Sequence, residues 1–315
     1  MGLCAARASG RDRPVGSVMG FHQDMLPLPE IATSSPWCQR WEGRRHAWRH
    51  VDDGGFDARH YEVGPVVEAA AKAFVVRHHY SGSYPAAVRR YGLFDITGEC
   101  RVLAGVAVFG IPAGPRVLAH ALPDLRPLEE SLELSRFVLR TKCPGNSESW
   151  FLARCFEDLR SSGVQGVVSF ADPVPRRDAA GRVVAVGHVG TIYQATNAVY
   201  TGRATARSIK VLPDGRVLSE RAVQKVRRQE PGHEYAERLL RSFGAEPLRA
   251  GGDPVQWLRG ALADAGVRTV RHRGAHRYVF RLPARRRDRE AIRLGVRPDP
   301  CYPKCPDLDP WPFTG

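Results

Sequence analysis

Lysine is scarce in this chain of 315 residues. Only five of its 47 basic residues are lysine: Lys72, Lys142, Lys210, Lys225 and Lys304. With Ala, Gly and Pro abundant, so strong an arginine bias is the mark of GC-rich coding, and no single Arg is marked out by it as a bidentate contact. Long apolar runs are also lacking. The longest, such as residues 102–112, reach about ten residues, whereas a membrane-spanning helix needs roughly 20. Residues 1–29 carry scattered arginines without the apolar stretch of an export signal. The seven cysteines (Cys4, Cys38, Cys100, Cys143, Cys155, Cys301 and Cys305) are odd in number and widely spread. Together these features argue against a disulfide framework and predict a protein of a reducing cytoplasm. No internal repeat is evident. With 43% hydrophobic and 25% charged residues, the chain is neither a disordered tract nor a rod.

The charge present is unevenly placed. The net charge is +14, which favours a polyanionic partner, nucleic acid above all. Residues 1–57 carry 7 basic and 7 acidic side chains, and residues 58–200 carry 16 and 13. Residues 201–315 carry 24 and 13, so the excess lies in the last third. Charge and pattern divide the chain into a flexible extension (1–57), a core (58–203) and a basic C-terminal region (204–315) that is expected to complete the fold and to meet a polyanion such as DNA.

Residues 1–57 read as irregular, because Pro14, Pro27, Pro29 and Pro36 interrupt any helix. Cys38, His46 and His50 lie there, the two histidines at helical spacing, but a zinc site needs four ligands in close pairs. From residue 59 the pattern becomes regular. Residues 66–76 predict a helix, 91–96 and 102–109 a hairpin, and 132–139 an alternating strand. Residues 140–147 form a turn, 150–160 a helix with Asn146 or Ser147 as cap, and 164–170 a nearly continuous apolar strand. Another helix is expected over 191–200, which would place Tyr193, Asn197 and Tyr200 on one face. Residues 209–212 and 216–219 flank Pro213-Asp214-Gly215 as a hairpin. Residues 223–243 and 254–265 read as helices, and 269–270 and 277–282 as strands.

A strand entering a capped helix through a tight turn offers free backbone N–H groups and a helix dipole to a phosphate. Here that turn holds Arg140, Lys142 and a single glycine, Gly145. Asp172 ends the apolar strand, where open sheets place ligands.

The order of elements resembles an acetyltransferase of the GNAT type, and particular residues narrow the resemblance. Arg77-His78-His79-Tyr80-Ser81-Gly82, Leu134-Ser135-Arg136-Phe137, Ser169-Phe170-Ala171-Asp172 and Gly190-Thr191-Ile192-Tyr193-Gln194-Ala195-Thr196-Asn197 resemble the Mom family of bacteriophage DNA-modification enzymes. The resemblance covers roughly residues 59–203. It implies an α/β (α+β) fold, a GNAT-like mixed central sheet flanked by helices, with an irregular N-terminal extension and a basic C-terminal elaboration. It implies conversion of adenine in DNA to an N6-carbamoylmethyl form that protects phage DNA from restriction. The family's functional positions fall on His79, Tyr80, Asp172 and Tyr193, with His79 and Asp172 the pair that would hold iron. An acetyl-CoA or other acyl-CoA-like donor would lie against Ser135, Phe137, Arg140, Gly145, Asn146 and Ser147. Double-stranded DNA would lie against Lys225, Arg227, Arg228, Arg271, Arg273 and Arg277. The sequence leaves the oligomeric state open, a homodimer included.

Two other readings stay beside this one. An ordinary acyl-CoA-dependent N-acyltransferase of a small amine or protein would work without DNA. A catalytically inactive GNAT-like DNA-binding protein would bind DNA in a salt-dependent way and leave every base unmodified.

Overall fold

The computed structural model describes residues 37–307 except Val51 and Pro115; Cys4 and the four prolines noted above lie outside them. The chain opens on a hairpin, β1 (Trp37–Glu42) and β2 (Arg45–His50), where the sequence predicts irregular chain. Its two-residue turn, Gly43-Arg44, has φ +56° and +66°, as the twist of a tight hairpin requires. The helical spacing read for His46 and His50 is therefore a strand spacing.

The main sheet begins with β3 (Tyr61–Pro65), followed by helix α1 (Glu68–His78). Then come β4 (Ala87–Asp95), β5 (Val102–Gly110), the short helix α2 (Val117–Ala121) and β6 (Ser131–Leu139). Helix α3 (Ser147–Ser161) crosses to β7 (Gly166–Ala171). A small hairpin, β8 (Arg176–Arg177) and β9 (Val183–Ala185), leads to helix α4 (Thr191–Ala195) and β10 (Val199–Arg203). After these follow β11 (Arg207–Val211), β12 (Val217–Leu218), α5 (Glu220–Arg228), α6 (Glu234–Arg241) and α7 (Pro254–Asp264). The described chain ends through β13 (Arg268–His272), β14 (His276–Arg281) and α8 (Arg286–Ala291).

Seven strands form one mixed sheet in the order β10-β14-β7-β6-β5-β4-β3. Every pairing is antiparallel except β6 with β7, which α3 connects. Helices cover both faces. Phe151, Leu152, Cys155 and Leu159 of α3 pack on Phe109, Leu132 and Val167, and Ala71, Phe74 and Val75 of α1 pack on Val106, Val108 and Val138. Helix α2 approaches β7 so closely that a Cβ on Gly166 would lie 2.4 Å from Leu122 Cδ1. This is the mixed, helix-flanked sheet expected from the sequence.

Two predicted helices are shorter than their apolar pattern. Helix α4 stops at Ala195, Asn197 has φ +63°, and Tyr200 lies in β10. Tyr193, Asn197 and Tyr200 therefore share no helix face; tertiary pairing of β10 with β14 overrides the local periodicity. The helix predicted over 223–243 breaks at Gln229 (φ +49°) and Pro231-Gly232 into α5 and α6. Between β10 and β14 the chain builds its own small sheet, β12-β11-β13. Under it Leu212, Val223, Val226, Leu240, Leu258 and Ala261 form a separate core with α5, α6 and α7.

Candidate active site

The parallel pair β6 and β7 is in register only from Ser131 opposite Gly166 to Leu134 opposite Ser169. Beyond that point β6 follows β5 and the two strands part. The gap is a cavity of about 520 Å³. Ser135, Phe137 and Leu139, alternate residues of β6, line one wall, and Phe170 and Asp172 line the other. Trp41 and Trp48 of the β1–β2 hairpin also border it.

His79, Tyr80, Asp172 and Tyr193 all line this one cavity. His79 follows the last turn of α1, its N–H donating to Val75 O at 2.9 Å. The Ser81 N–H donates to His79 Nδ1 at 3.2 Å, and Ser81 Oγ lies 2.8 Å from the same nitrogen. Nδ1 is thus the accepting nitrogen and the ring proton is assigned to Nε2. Burial, reinforced by the positive charge of Arg136, keeps the imidazole neutral by holding its pKa well below the usual value. The Tyr80 ring lies 4.2 Å from that of His79 and 4.9 Å from Trp41, with the Arg176 guanidinium 5.0 Å over its centre.

Asp172 is held from three sides. His272 Nε2 donates to Oδ1 at 2.9 Å, the Val174 N–H donates to the same oxygen at 3.1 Å, and Arg176 Nη2 lies 3.4 Å from Oδ2. Burial alone would raise this carboxyl. The Arg176 charge and the His272 hydrogen bond outweigh burial and hold it well below the carboxylate range. The Gly274 N–H donates to His272 Nδ1 at 3.0 Å, which fixes the tautomer that serves Asp172. Burial pushes Tyr193 up to about 12, so its hydroxyl stays protonated. Gly190 before α4 has φ +77°, and a Cβ there would lie 2.7 Å from Tyr278 and 2.8 Å from Tyr193. Only glycine lets Tyr193 pack at 5.4 Å from Tyr278.

The sequence reading passed over Glu133. It lines the cavity, burial raises its pKa, and the Ser135 hydroxyl donates to its Oε1 at 3.1 Å. Its apolar neighbours in an alternating strand gave no signal that its carboxylate faces a cavity. His272 and Arg176 were also missed, the former because 100 residues separate it from Asp172. Arg136, inside a quoted motif, lines the cavity and is anchored to Ser83 O at 3.2 Å.

Iron does not fit the pair His79 and Asp172. The His79 Nδ1 is turned to Ser81, and both Asp172 oxygens already meet cationic or N–H partners. Among the described residues no group of three His, Cys, Asp or Glu side chains could hold a metal ion. Cys301 and Cys305 are exposed free thiols.

Of the residues expected to hold a donor, Ser135, Phe137 and Asn146 line the cavity. Gly145 and Ser147 are buried within the turn, where Ser147 Oγ donates to Pro144 O at 2.6 Å. The two cations of the turn are engaged elsewhere: Arg140 Nε lies 3.0 Å from Glu42, and Lys142 Nζ 2.7 Å from Asp95. An anion at the start of α3 would therefore meet backbone N–H groups. Those groups carry no side-chain cap, since Asn146 sits at φ +65° without a capping bond. Glu148 in the first turn is neutralised by Arg40, a fully buried side chain of β1 that also donates to Cys143 O at 3.1 Å and Pro144 O at 2.6 Å.

The residues expected to meet DNA lie on the segment after β10. Lys225, Arg227 and Arg228 lie on α5, where Arg227 is 3.7 Å from Glu220 and Arg228 3.7 Å from Glu230. Arg271 and Arg273 are exposed at β13 and the turn after it. Arg277 is tied into the main sheet, its Nε donating to Thr201 Oγ1 at 2.9 Å and Nη2 to Thr201 O at 3.1 Å. No helix among the described residues is long and apolar enough to cross a membrane.

No curated protein sequence matches this chain. Among solved structures it is similar to a ribosomal-protein-S5-alanine acetyltransferase of Vibrio fischeri. The identity is 11% and the TM-score 0.32, over 49% of this chain and 87% of that one. It is also similar to the yncA protein of Salmonella typhimurium with its cofactor acetyl-CoA. There the identity is 11% and the TM-score 0.32, over 77% of this chain and 99% of that one. A tandem GNAT protein from the clavulanic acid pathway gives 9% identity and a TM-score of 0.29, over 64% of this chain and 65% of the other. Residues 60–304, well over half of the sequence, match the family model of the Mom protein family, and the chain belongs to that family.

Proposed function

We propose that this protein is an enzyme that modifies adenine in double-stranded DNA at N6, adding the carbamoylmethyl group that its family membership implies and so protecting the DNA from restriction. The observation that carries the reading is the convergence of His79, Tyr80, Asp172 and Tyr193 on one cavity that also holds the buried carboxyl of Glu133. An adenine inside a duplex cannot reach such a cavity, so the base must leave the stack. Trp41, Trp48 and Tyr80 offer it aromatic faces. When the N6 nitrogen forms its new bond to the donor carbon, that carbon's bond to its leaving group breaks, the leaving group keeps the electron pair, and one N6 proton departs. Glu133, with its raised affinity for protons, accepts it. The His79 Nε2–H donates to the carbonyl oxygen of the transferred carboxamide. Asp172, ionised and able only to accept, takes an N–H of the same group.

An acyl-CoA-like donor fits the residues present through its arm. The free edge of β6 beyond Leu134 would pair with its amides, Phe137 would pack on it, and the uncapped start of α3 would meet its phosphates. When bound it would supply the activated carbon for transfer. Lys225, Arg227, Arg228, Arg271 and Arg273 would hold the duplex by phosphate contacts.

The test is to express the protein in a bacterium, digest plasmid DNA to nucleosides and weigh them by mass spectrometry. The expected result is a deoxyadenosine heavier by one carbamoylmethyl group, absent with Asp172→Ala. Unmodified deoxyadenosine from soluble, folded protein would overturn the reading. Acyl-CoA turnover on small amines would then support the acyltransferase alternative.

A further inference from the structure

The turn of the β1–β2 hairpin has a backbone that its sequence does not favour. Arg44 sits at φ +66°, a conformation that glycine or asparagine adopts readily and arginine does not. Strain of this kind persists where its surroundings hold it, and it clusters at ligand clamps. Here the surroundings are the end of α1. The Arg44 N–H donates to His78 O at 3.0 Å, and the Gly43 N–H to His78 Nδ1 at 3.3 Å. These two bonds aim the Arg44 side chain at Gly82. A Cβ built on Gly82 would lie 3.4 Å from Arg44 Nη1 and 3.3 Å from Arg216 Cδ. Arg216 comes from the other side, out of the β11–β12 turn. Its Nε is held by Asp214, which leaves its terminal nitrogens for another acceptor. Arg44 is exposed and has no carboxylate partner among the described residues.

Two arginines from elements more than 150 positions apart thus converge on one glycine, their side chains lying over its bare backbone where a Cβ would stand. Asp214 balances only one of the two charges; an anion between the guanidinium groups would relieve what remains, and the planar guanidinium fork suits a phosphodiester. The place within the fold selects which one. The Gly82 N–H donates to His79 O at 2.9 Å, closing a tight turn whose ends are within about 7 Å. His79 and Tyr80, at the start of this turn, line the cavity.

We propose that Arg44 and Arg216 form a clamp over Gly82 for a DNA phosphodiester next to the flipped nucleotide, so that the N-terminal hairpin and the inserted segment grip the target strand together. This rests on the reading of DNA as substrate. The clamp grips one phosphate beside the site, while the basic surface farther along the inserted segment follows the rest of the duplex.

The test uses the full chain and a fluorescein-labelled random-sequence duplex of about 20 base pairs, with affinity read by anisotropy across a salt series. Arg44→Asn suits the left-handed backbone and removes the charge without disturbing the turn; Arg216→Gln is made separately, and both are checked by thermal melting. Loss of one phosphate contact is expected to make the slope of log K against log salt shallower by about 0.9. Each variant should also lower the yield of modified deoxyadenosine from plasmid DNA several-fold. Folded variants with wild-type slope and wild-type yield would overturn the clamp alone. A wild-type protein that binds no duplex at any salt would overturn the clamp together with the DNA reading.

Discussion

Glu133 and Asp172 are two carboxyls on one cavity that their surroundings drive in opposite directions. Glu133 has a folded pKa above its unfolded value of about 4.3. Its favourable contribution to stability is therefore present below that pH and lost as pH rises through the folded value. Glu133→Gln removes this loss. It should melt at a higher temperature than wild type at pH 7 while modifying DNA at least about 100-fold more slowly, as calorimetry and nucleoside mass spectrometry would register. A variant that keeps wild-type activity would remove Glu133 from the chemistry. Asp172 has the reverse sign. Its contribution is present above the unfolded value of about 3.9 and is lost as pH falls through its depressed folded value. Much of that depression comes through Arg176 and His272. Urea unfolding of His272→Ala at pH 7 should accordingly show a loss of about 1.5–3 kcal/mol, typical of a hydrogen bond to a charged group. An unchanged midpoint would mean that the His272 bond to Asp172 contributes nothing to the fold.

Among the elements, the β1–β2 hairpin had the least support in the sequence and has large consequences for the site. Arg40, fully buried in β1, neutralises Glu148 at the start of α3. Breaking a buried pair leaves an uncompensated charge, and Arg40→Ala should cost about 3–5 kcal/mol. Amide exchange should locate the loss in β1, β2 and the first turn of α3. His46 of β2 is held at about 4 by burial, against an unfolded value of about 6.5. Its contribution is present above the unfolded value and fades as pH falls toward the folded one. Exchange in the hairpin, corrected for intrinsic rates, should therefore speed up relative to β6 between about pH 6 and pH 4. Equal acceleration in both strands would dissociate the hairpin from His46. The strands β5, β6 and β7 and the helix α3 were legible because their apolar periodicity points the same way as their final packing. Helix α4 and the strand β10 were not, because Tyr200 reads as helical locally and only pairing with β14 makes it a strand.

At the scale of the whole molecule, residues 204–275, which form a separate small sheet with its own three-helix core, carry 14 basic and 8 acidic side chains, about half of the basic excess of the last third of the sequence. If six or more phosphates are neutralised there and at the hairpin tip, log K for duplex binding should fall with log salt at a slope of about −5 or steeper. Asp172→Ala should leave that slope unchanged while ending modification. A flat salt dependence would exclude the basic surface as the DNA contact.

What the sequence determined by itself was local or additive. Periodicity marked most strands and helices, summed charge pointed to a polyanion, and short motifs carried the family and the positions His79, Tyr80, Asp172 and Tyr193. What tertiary structure alone decided was everything that depends on distance across the chain. The parting of β6 from β7 makes the cavity. Folding of the inserted segment brings His272 to Asp172 over 100 positions, and Arg216 to Arg44. It also settles which charges stay available, since Arg140, Lys142 and Arg277 are engaged inside the fold while Arg44 is not. The physical reason is that a side chain's type follows from the sequence, but its protonation state and its partners are set by neighbours that only folding supplies.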